Sequence, residues 1–133
     1  MLKLRLVEDG RVLLEIPLSA ESWDKQELRQ EFEELETDLE KVVKMFNAFS
    51  NASRIRMMRA FFETTDRSMG FTELMNELRI NPKLVWDSTR RLRRIGLIEK
   101  DDEGRYRPTR EGEAQFLMAS IALRKLLQIL DEI

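Results

Sequence analysis

Four arginines occupy five consecutive positions of this 133-residue chain: Arg90, Arg91, Arg93 and Arg94. Guanidinium groups at that density repel one another unless an anion lies among them. Arginine is also the side chain whose planar fork best fits a phosphate or the O6/N7 edge of guanine. A helix that faces only water usually mixes charges at i, i+4, and this one hardly does. At helical spacing Lys83, Trp86, Asp87, Arg90 and Arg94 share one side, with Arg91 and Arg93 on its flanks. The chemistry that follows is recognition of a polyanion. Arg90 is the first candidate for a guanine contact, and Arg91 and Arg94 are placed for phosphates. Asp87 can accept from a cytosine N4 or orient a neighbouring arginine. Trp86 can touch a thymine methyl or serve only as a packing residue.

These residues need a scaffold, and the flanking sequence supplies one. Asn81 is a good helix N-cap and Pro82 suits the first helical position, so a helix is predicted to about Ile95, ended by Gly96. Val85, Leu92 and Ile95, with Ser88 or Thr89 between, form its buried side. Before it, Thr72 is predicted to cap a short helix with Leu74 and Leu78 inward. After it, Ile98 to Thr109 reads as a hairpin turning at Asp102-Glu103-Gly104, with Arg105 and Arg107 on one face of the return strand. Those two arginines are candidates for phosphate or minor-groove contact, while the acidic tip argues against deep insertion. This order is that of a winged helix-turn-helix, whose second helix enters the DNA major groove with a hairpin beside it.

The rest of the chain reads as support. Met1 to Pro17 is predicted to be a β-hairpin with a three-residue Glu8-Asp9-Gly10 loop, setting Leu2, Leu4, Leu6, Val12, Leu14 and Ile16 on one face and Lys3 opposite Glu15. A helix capped by Ser19 or Ser22 then carries Leu28, Phe32, Leu35, Leu39, Val42, Phe46 and Phe49, alternating steps of 4 and 3. That is a coiled-coil seam of about three heptads. The alternative is that the stripe packs on this chain's own hairpin and last helix. Ser50 to Ser53 breaks the chain before a helix from Arg54 to Thr64, with Ile55, Met58, Phe61 and Phe62 buried. A long final helix, Arg110 to Ile133, again steps by 3 and 4 through Phe116, Ala119, Leu123, Leu126, Leu130 and Ile133. It is apolar on more than one face, which is too much surface for one partner. The expected dimerisation residues are therefore Leu28, Phe32, Leu35, Leu39, Phe116, Leu123, Leu126 and Leu130. The fold class expected is mainly α with small β. One compact domain is expected, its segments being 1–40 (hairpin and start of the acidic helix), 41–110 (DNA-binding core) and 111–133 (C-terminal dimerisation helix).

Composition narrows the function. A net charge of −2 hides an asymmetry: residues 1–40 hold 5 basic and 12 acidic side chains, and residues 41–133 hold 18 and 13. Such a split suggests a polyanion-binding part joined to an acidic one. There is no cysteine and no histidine, which excludes disulfides, thiolate nucleophiles, Ser-His triads and Cys/His zinc sites. Neither a metal nor another cofactor is expected, and the carboxylates sit beside no glycine-rich loop or pocket signature, so no enzyme is expected. No run approaches the roughly 18 apolar residues of a membrane span, and the N-terminus lacks a signal-peptide pattern. A cytoplasmic protein with no membrane partner is the expectation.

From about Lys41 to Leu117 the chain resembles the ArsR-like winged-helix regulators of bacteria and archaea. The resemblance rests on Phe49-Ser50-Asn51-Ala52-Ser53-Arg54-Ile55-Arg56, a turn followed by Ser-Arg and an apolar residue. Ile80 to Val85, Leu92, Ile95 to Ile98 and Pro108 to Gly112 also resemble HxlR and MarR-related patterns. Such proteins are dimeric repressors or activators that bind near-palindromic operators, and the resemblance implies the same here. The chain departs from the many metal-sensing members, which use thiolates and histidines. Its N-terminal hairpin and acidic helix are additions. Two functions are carried forward: a homodimeric, sequence-specific regulator that binds double-stranded DNA through helix 82–95 and wing 98–109, and a winged-helix interaction module of a transcription or repair assembly with the acidic helix as partner arm.

Overall fold

The computed structural model describes all residues, 1–133. The protein is mixed α+β, predominantly helical, with two small antiparallel sheets. It forms two compact units, Met1–Glu40 and Lys41–Ile133. The segment 111–133 thus belongs with 41–110.

In the first unit, β1 (Lys3–Glu8) pairs with β2 (Arg11–Pro17). The loop has two residues, not three: Asp9 and Gly10 take φ 50° and 80°, the doubly left-handed turn that Asp-Gly favours. A one-residue shift between Leu6 and Val7 absorbs the offset. Without a bulge a two-residue loop would mix the two faces, and the bulge keeps Leu4, Leu6, Leu14 and Ile16 in register. Leu4 pairs with Ile16 and Leu6 with Leu14, but Val12 moves opposite Val7. Arg5, rather than Lys3, lies directly across from Glu15, and Lys3 reaches Glu15 diagonally at 2.6 Å. Together the two cations hold the Glu15 carboxyl below its ordinary range, the Lys3 hydrogen bond contributing most. A 3-10 turn, Ala20–Ser22, precedes α1, and the Trp23 indole donates to the Pro17 carbonyl at 2.9 Å. Asp24, not either predicted serine, caps α1 by accepting from the Glu27 amide. Ser19 and Ser22 bond each other instead.

Helix α1 (Lys25–Phe49) is continuous. Its end is held by Arg54, whose guanidinium donates to the Ala48 and Asn47 carbonyls at 2.8 and 2.6 Å, satisfying acceptors that a helix C-terminus leaves open. Helix α2 (Ala52–Glu63) is capped by Asn51, whose side chain accepts from the Ser53 and Arg54 amides. It buries Met57, Met58, Ala60 and Phe61. Ile55 is exposed, and Phe62 lies partly buried at the core edge. Helix α3 (Phe71–Leu78) starts two residues earlier than expected, its N-cap being Gly70 rather than Thr72, with no side-chain cap. Helix α4 (Pro82–Arg94), β3 (Ile98–Lys100), β4 (Tyr106–Pro108) and α5 (Arg110–Leu117) follow. The core of this unit gathers Met57, Met58, Phe61, Leu74, Val85, Leu92, Leu97 and Ile98.

The final helix is interrupted. A π-helical turn, Met118–Ala122, separates α5 from α6 (Leu123–Asp131). Within it the Ser120 hydroxyl donates to the Phe116 carbonyl. The wider turn breaks the 3-and-4 stripe. Phe116, expected on the dimer-facing surface, is only 7% exposed. Its ring lies 5.6 Å from both Phe49 and Phe62, so it is a core residue and leaves the dimerisation set. Beyond the turn, Leu123, Leu127 and Leu130 are exposed and Leu126 is half-buried.

Candidate nucleic-acid interface

Helix α4 is built as its sequence requires. The Asn81 side chain accepts from the Leu84 amide at 2.8 Å, and Pro82 occupies the first turn. Val85, Ser88, Thr89 and Leu92 are buried on α2 and α3. Thr89 is tolerated there because its hydroxyl donates to the Val85 carbonyl at 2.8 Å. The helix stops where Gly96 turns left-handed at φ 79°, with the Gly96 and Leu97 amides returning to Arg93 and Leu92.

The opposite side carries every α4 residue singled out from sequence. Lys83, Trp86, Asp87, Arg90, Arg91 and Arg94 are all exposed, as is Arg93. Arg90 lies 4.8 Å over the ring of Trp86, which is itself 51% exposed. No carboxylate of the chain pairs with Arg90, Arg91, Arg93 or Arg94. Four other arginines of this unit are engaged, while Arg79, Arg110 and Arg124 are exposed and pair with no carboxylate either. Arg54 caps α1, Arg56 donates to the Leu78 carbonyl at 2.6 Å, and Arg59 and Arg67 pair with Glu63 and Glu113. Burial, and next the charge of Arg91, lower the Arg54 pKa.

The two arginines of the β3–β4 hairpin are engaged. Arg105 donates to the Ser68 hydroxyl and carbonyl at 3.0 Å each and to Glu73 at 2.6 Å. Arg107 donates to Asp101 at 3.0 Å. Arg105 therefore ties β4 to the loop before α3. The same tie is made in the backbone, where Met69 and Tyr106 exchange two hydrogen bonds of 2.9 and 2.8 Å as a third rung beside the β3–β4 pair. Asp66 completes the cluster by accepting from the Ser68 amide and hydroxyl. The Arg105 hydrogen bond holds Glu73 below the ordinary carboxylate range, and Ser68 does so for Asp66. Asp101 shapes the tip: its carboxylate accepts from the Glu103 and Arg105 amides, and the Arg105 amide is the largest cause of its lowered pKa. The acidic tip is thus partly an ordered turn and not only a solvated charge run.

A concavity of about 500 Å³ lies between the start of α3, α4 and the wing. Arg90, Arg93 and Lys100 bring three cations to it, and Trp86, Phe71 and Tyr106 give it aromatic walls. The Lys100 ammonium sits 5.4 Å over the Tyr106 ring. Lys100 was not singled out from sequence. Only the pairing of Lys100 with Tyr106 across the hairpin turns it toward α4.

Compared with protein families and with curated proteins, the chain matches none. Among solved structures it is similar to BpsR of Bordetella bronchiseptica, whose structure is described as a mechanism for regulation of DNA binding by 6-hydroxynicotinic acid. The identity is 13% and the TM-score 0.43, over 88% of this chain and 99% of that one.

Proposed function

We infer that this protein is a homodimeric, sequence-specific DNA-binding regulator of transcription built on a winged helix-turn-helix. One observation carries the reading. The four α4 arginines are exposed and pair with no carboxylate, in a chain that carries 25 Asp and Glu side chains and a net charge of −2. A row of cations left bare on a well-anchored helix suits a phosphate backbone and base edges. The succession α3, turn, α4, β3, β4 supports the same fold assignment, with α4 as the helix that enters the major groove.

Within this reading Arg90, with Lys83, Trp86 and Asp87, lies toward the groove. Arg91 and Arg94 meet phosphates, and Arg93 and Lys100 join them from the wing side. Arg105 holds the wing in place, because its donors are committed to Ser68 and Glu73, and Arg107 donates from one nitrogen to Asp101 while its buried Nε has no partner. Exposed Phe32, Leu35, Leu39, Leu123 and Leu130 support a second copy as partner, and two recognition helices would then read half-sites about 34 Å apart. Selection of bound duplexes from a random pool tests the assignment. A recurrent half-site is expected, and Arg90→Ala should relax it at one base position at a cost of about 1–3 kcal/mol. Equal recovery of all sequences, unchanged by Arg90→Ala, overturns base reading.

A further inference from the structure

The exposed apolar side chains of α1 are Phe32, Leu35, Leu39, Val43 and Phe46, each between 43% and 58% exposed. Val42 and Phe49, which the sequence pattern placed on the same seam, turn partly inward, and Ala48 is buried. The stripe that remains steps 3, 4, 4, 3 and is symmetric about Leu39. A helix face with that symmetry fits a copy of itself run in the opposite direction: Leu39 meets Leu39, Leu35 meets Val43, and Phe32 meets Phe46.

Charge along the helix selects the same direction. Residues 31–40 carry Glu31, Glu33, Glu34, Glu36, Asp38 and Glu40 with no cation, whereas residues 41–49 carry Lys41 and Lys44 with no anion. A parallel pair would lay six carboxylates beside the same six of its partner, an arrangement that like-charge repulsion disfavours. An antiparallel pair centred on Leu39 lays residues 31–37, with four of the six carboxylates, beside residues 41–47 of the second copy, where the only charges are lysines, and leaves like charges together only at Asp38 and Glu40 beside the axis.

We propose that α1 docks against α1 of a second copy in antiparallel orientation, with the two-fold axis at Leu39. This rests on the dimeric reading above and adds the partner's direction and register. A two-fold contact of this kind is self-complementary and closes at two chains.

The chain has no cysteine, so introduced thiols report the geometry without background. Phe32→Cys, Leu39→Cys and Phe46→Cys lie at exposed positions and disturb no buried core. Each variant is checked by circular dichroism, then oxidised alone and as a mixture of the first and third. The antiparallel pair predicts efficient self-linking for Leu39→Cys, several-fold weaker self-linking for Phe32→Cys and Phe46→Cys alone, and a mixed disulfide when those two are combined. Comparable self-linking at all three positions means a parallel pair and overturns the proposal while leaving the regulator reading intact. A monomer mass for the native chain at micromolar concentration, or a dimer in which Leu39→Cys fails to link, also overturns it. None of these readouts involves DNA, so loss of DNA binding is scored separately.

Discussion

Gly112 sits in the first turn of α5, where its backbone meets Leu97, the residue before β3. A Cβ added there would collide with the carbonyl oxygen, carbonyl carbon and Cα of Leu97. The carbonyl cannot swing aside freely, because it accepts from the Thr109 amide at 3.0 Å. Thr109 in turn caps α5 by accepting from the Gly112 amide at 2.9 Å and donates its hydroxyl to Gly96 at 2.7 Å. Helix propensity alone says Gly112→Ala should stabilise by about 1 kcal/mol. Overpacking against backbone costs roughly 1–3 kcal/mol, and losing the Thr109–Leu97 bond adds roughly 0.5–1.5 kcal/mol. The collision wins, and the expected net loss is about 1–3 kcal/mol. For a chain of this size that lowers Tm by roughly 4–11 °C. Urea denaturation followed by circular dichroism measures it. A neutral or stabilised Gly112→Ala would refute the claim that α5 is seated directly on the end of α4 and the start of the wing.

Other outcomes follow from the same contacts. Arg79 ends α3 in the left-handed conformation at φ 54°, so Arg79→Gly should stabilise by about 0.5–1 kcal/mol; a loss of stability would mean its side chain contributes more than its backbone costs. Asn81→Ala removes the α4 cap and should cost about 1 kcal/mol in the same denaturation assay. Asp66, Glu73 and Asp101 have lowered pKa values from ordinary values of 3.8, 4.5 and 3.8. Their contribution is therefore complete above those values and is lost as pH falls through the lower folded ones. Arg105→Ala should be less stable than the native chain at pH 7, and the gap should narrow as pH falls through the lowered Glu73 pKa, leaving the part that the Ser68 bonds contribute; a gap that does not change with pH would mean the Glu73 pair contributes nothing. Amide exchange at Met69 and Tyr106 should rise in step.

The sequence was most informative where local rules and burial agree. Asn81, Pro82 and Gly96 bound α4 within a residue, and its inward and outward sides follow directly from the spacing of Val85, Ser88, Thr89 and Leu92. The arginine face was legible for the same reason. What it could not disclose was set by contacts distant in the chain. Arg105 and Arg107 look alike on a return strand, yet Ser68 and Glu73 lie 37 and 32 residues away from Arg105 and claim its donors. The hairpin turn was misread because two rules conflicted there, the Asp-Gly preference and the apolar alternation, and a bulge kept the turn and most of the alternation while moving Val12 opposite Val7. Phe116 was misassigned because period alone does not distinguish a surface stripe from a core one, and the π-helical turn that separates them leaves only Ser120 as a trace. Lys100 became part of the basic concavity through strand pairing, which single-residue patterns do not encode.

The central claim is that the bare arginines of α4 hold the backbone of duplex DNA. It is tested most directly by the salt dependence of binding to a selected duplex, for the native chain and for Arg91→Ala with Arg94→Ala. Affinity of the native chain should fall by about 0.9 log unit per log unit of salt for each phosphate neutralised. The double variant should show a slope shallower by about 1.8 with sequence preference kept. An unchanged slope, or binding indifferent to salt, would contradict the account.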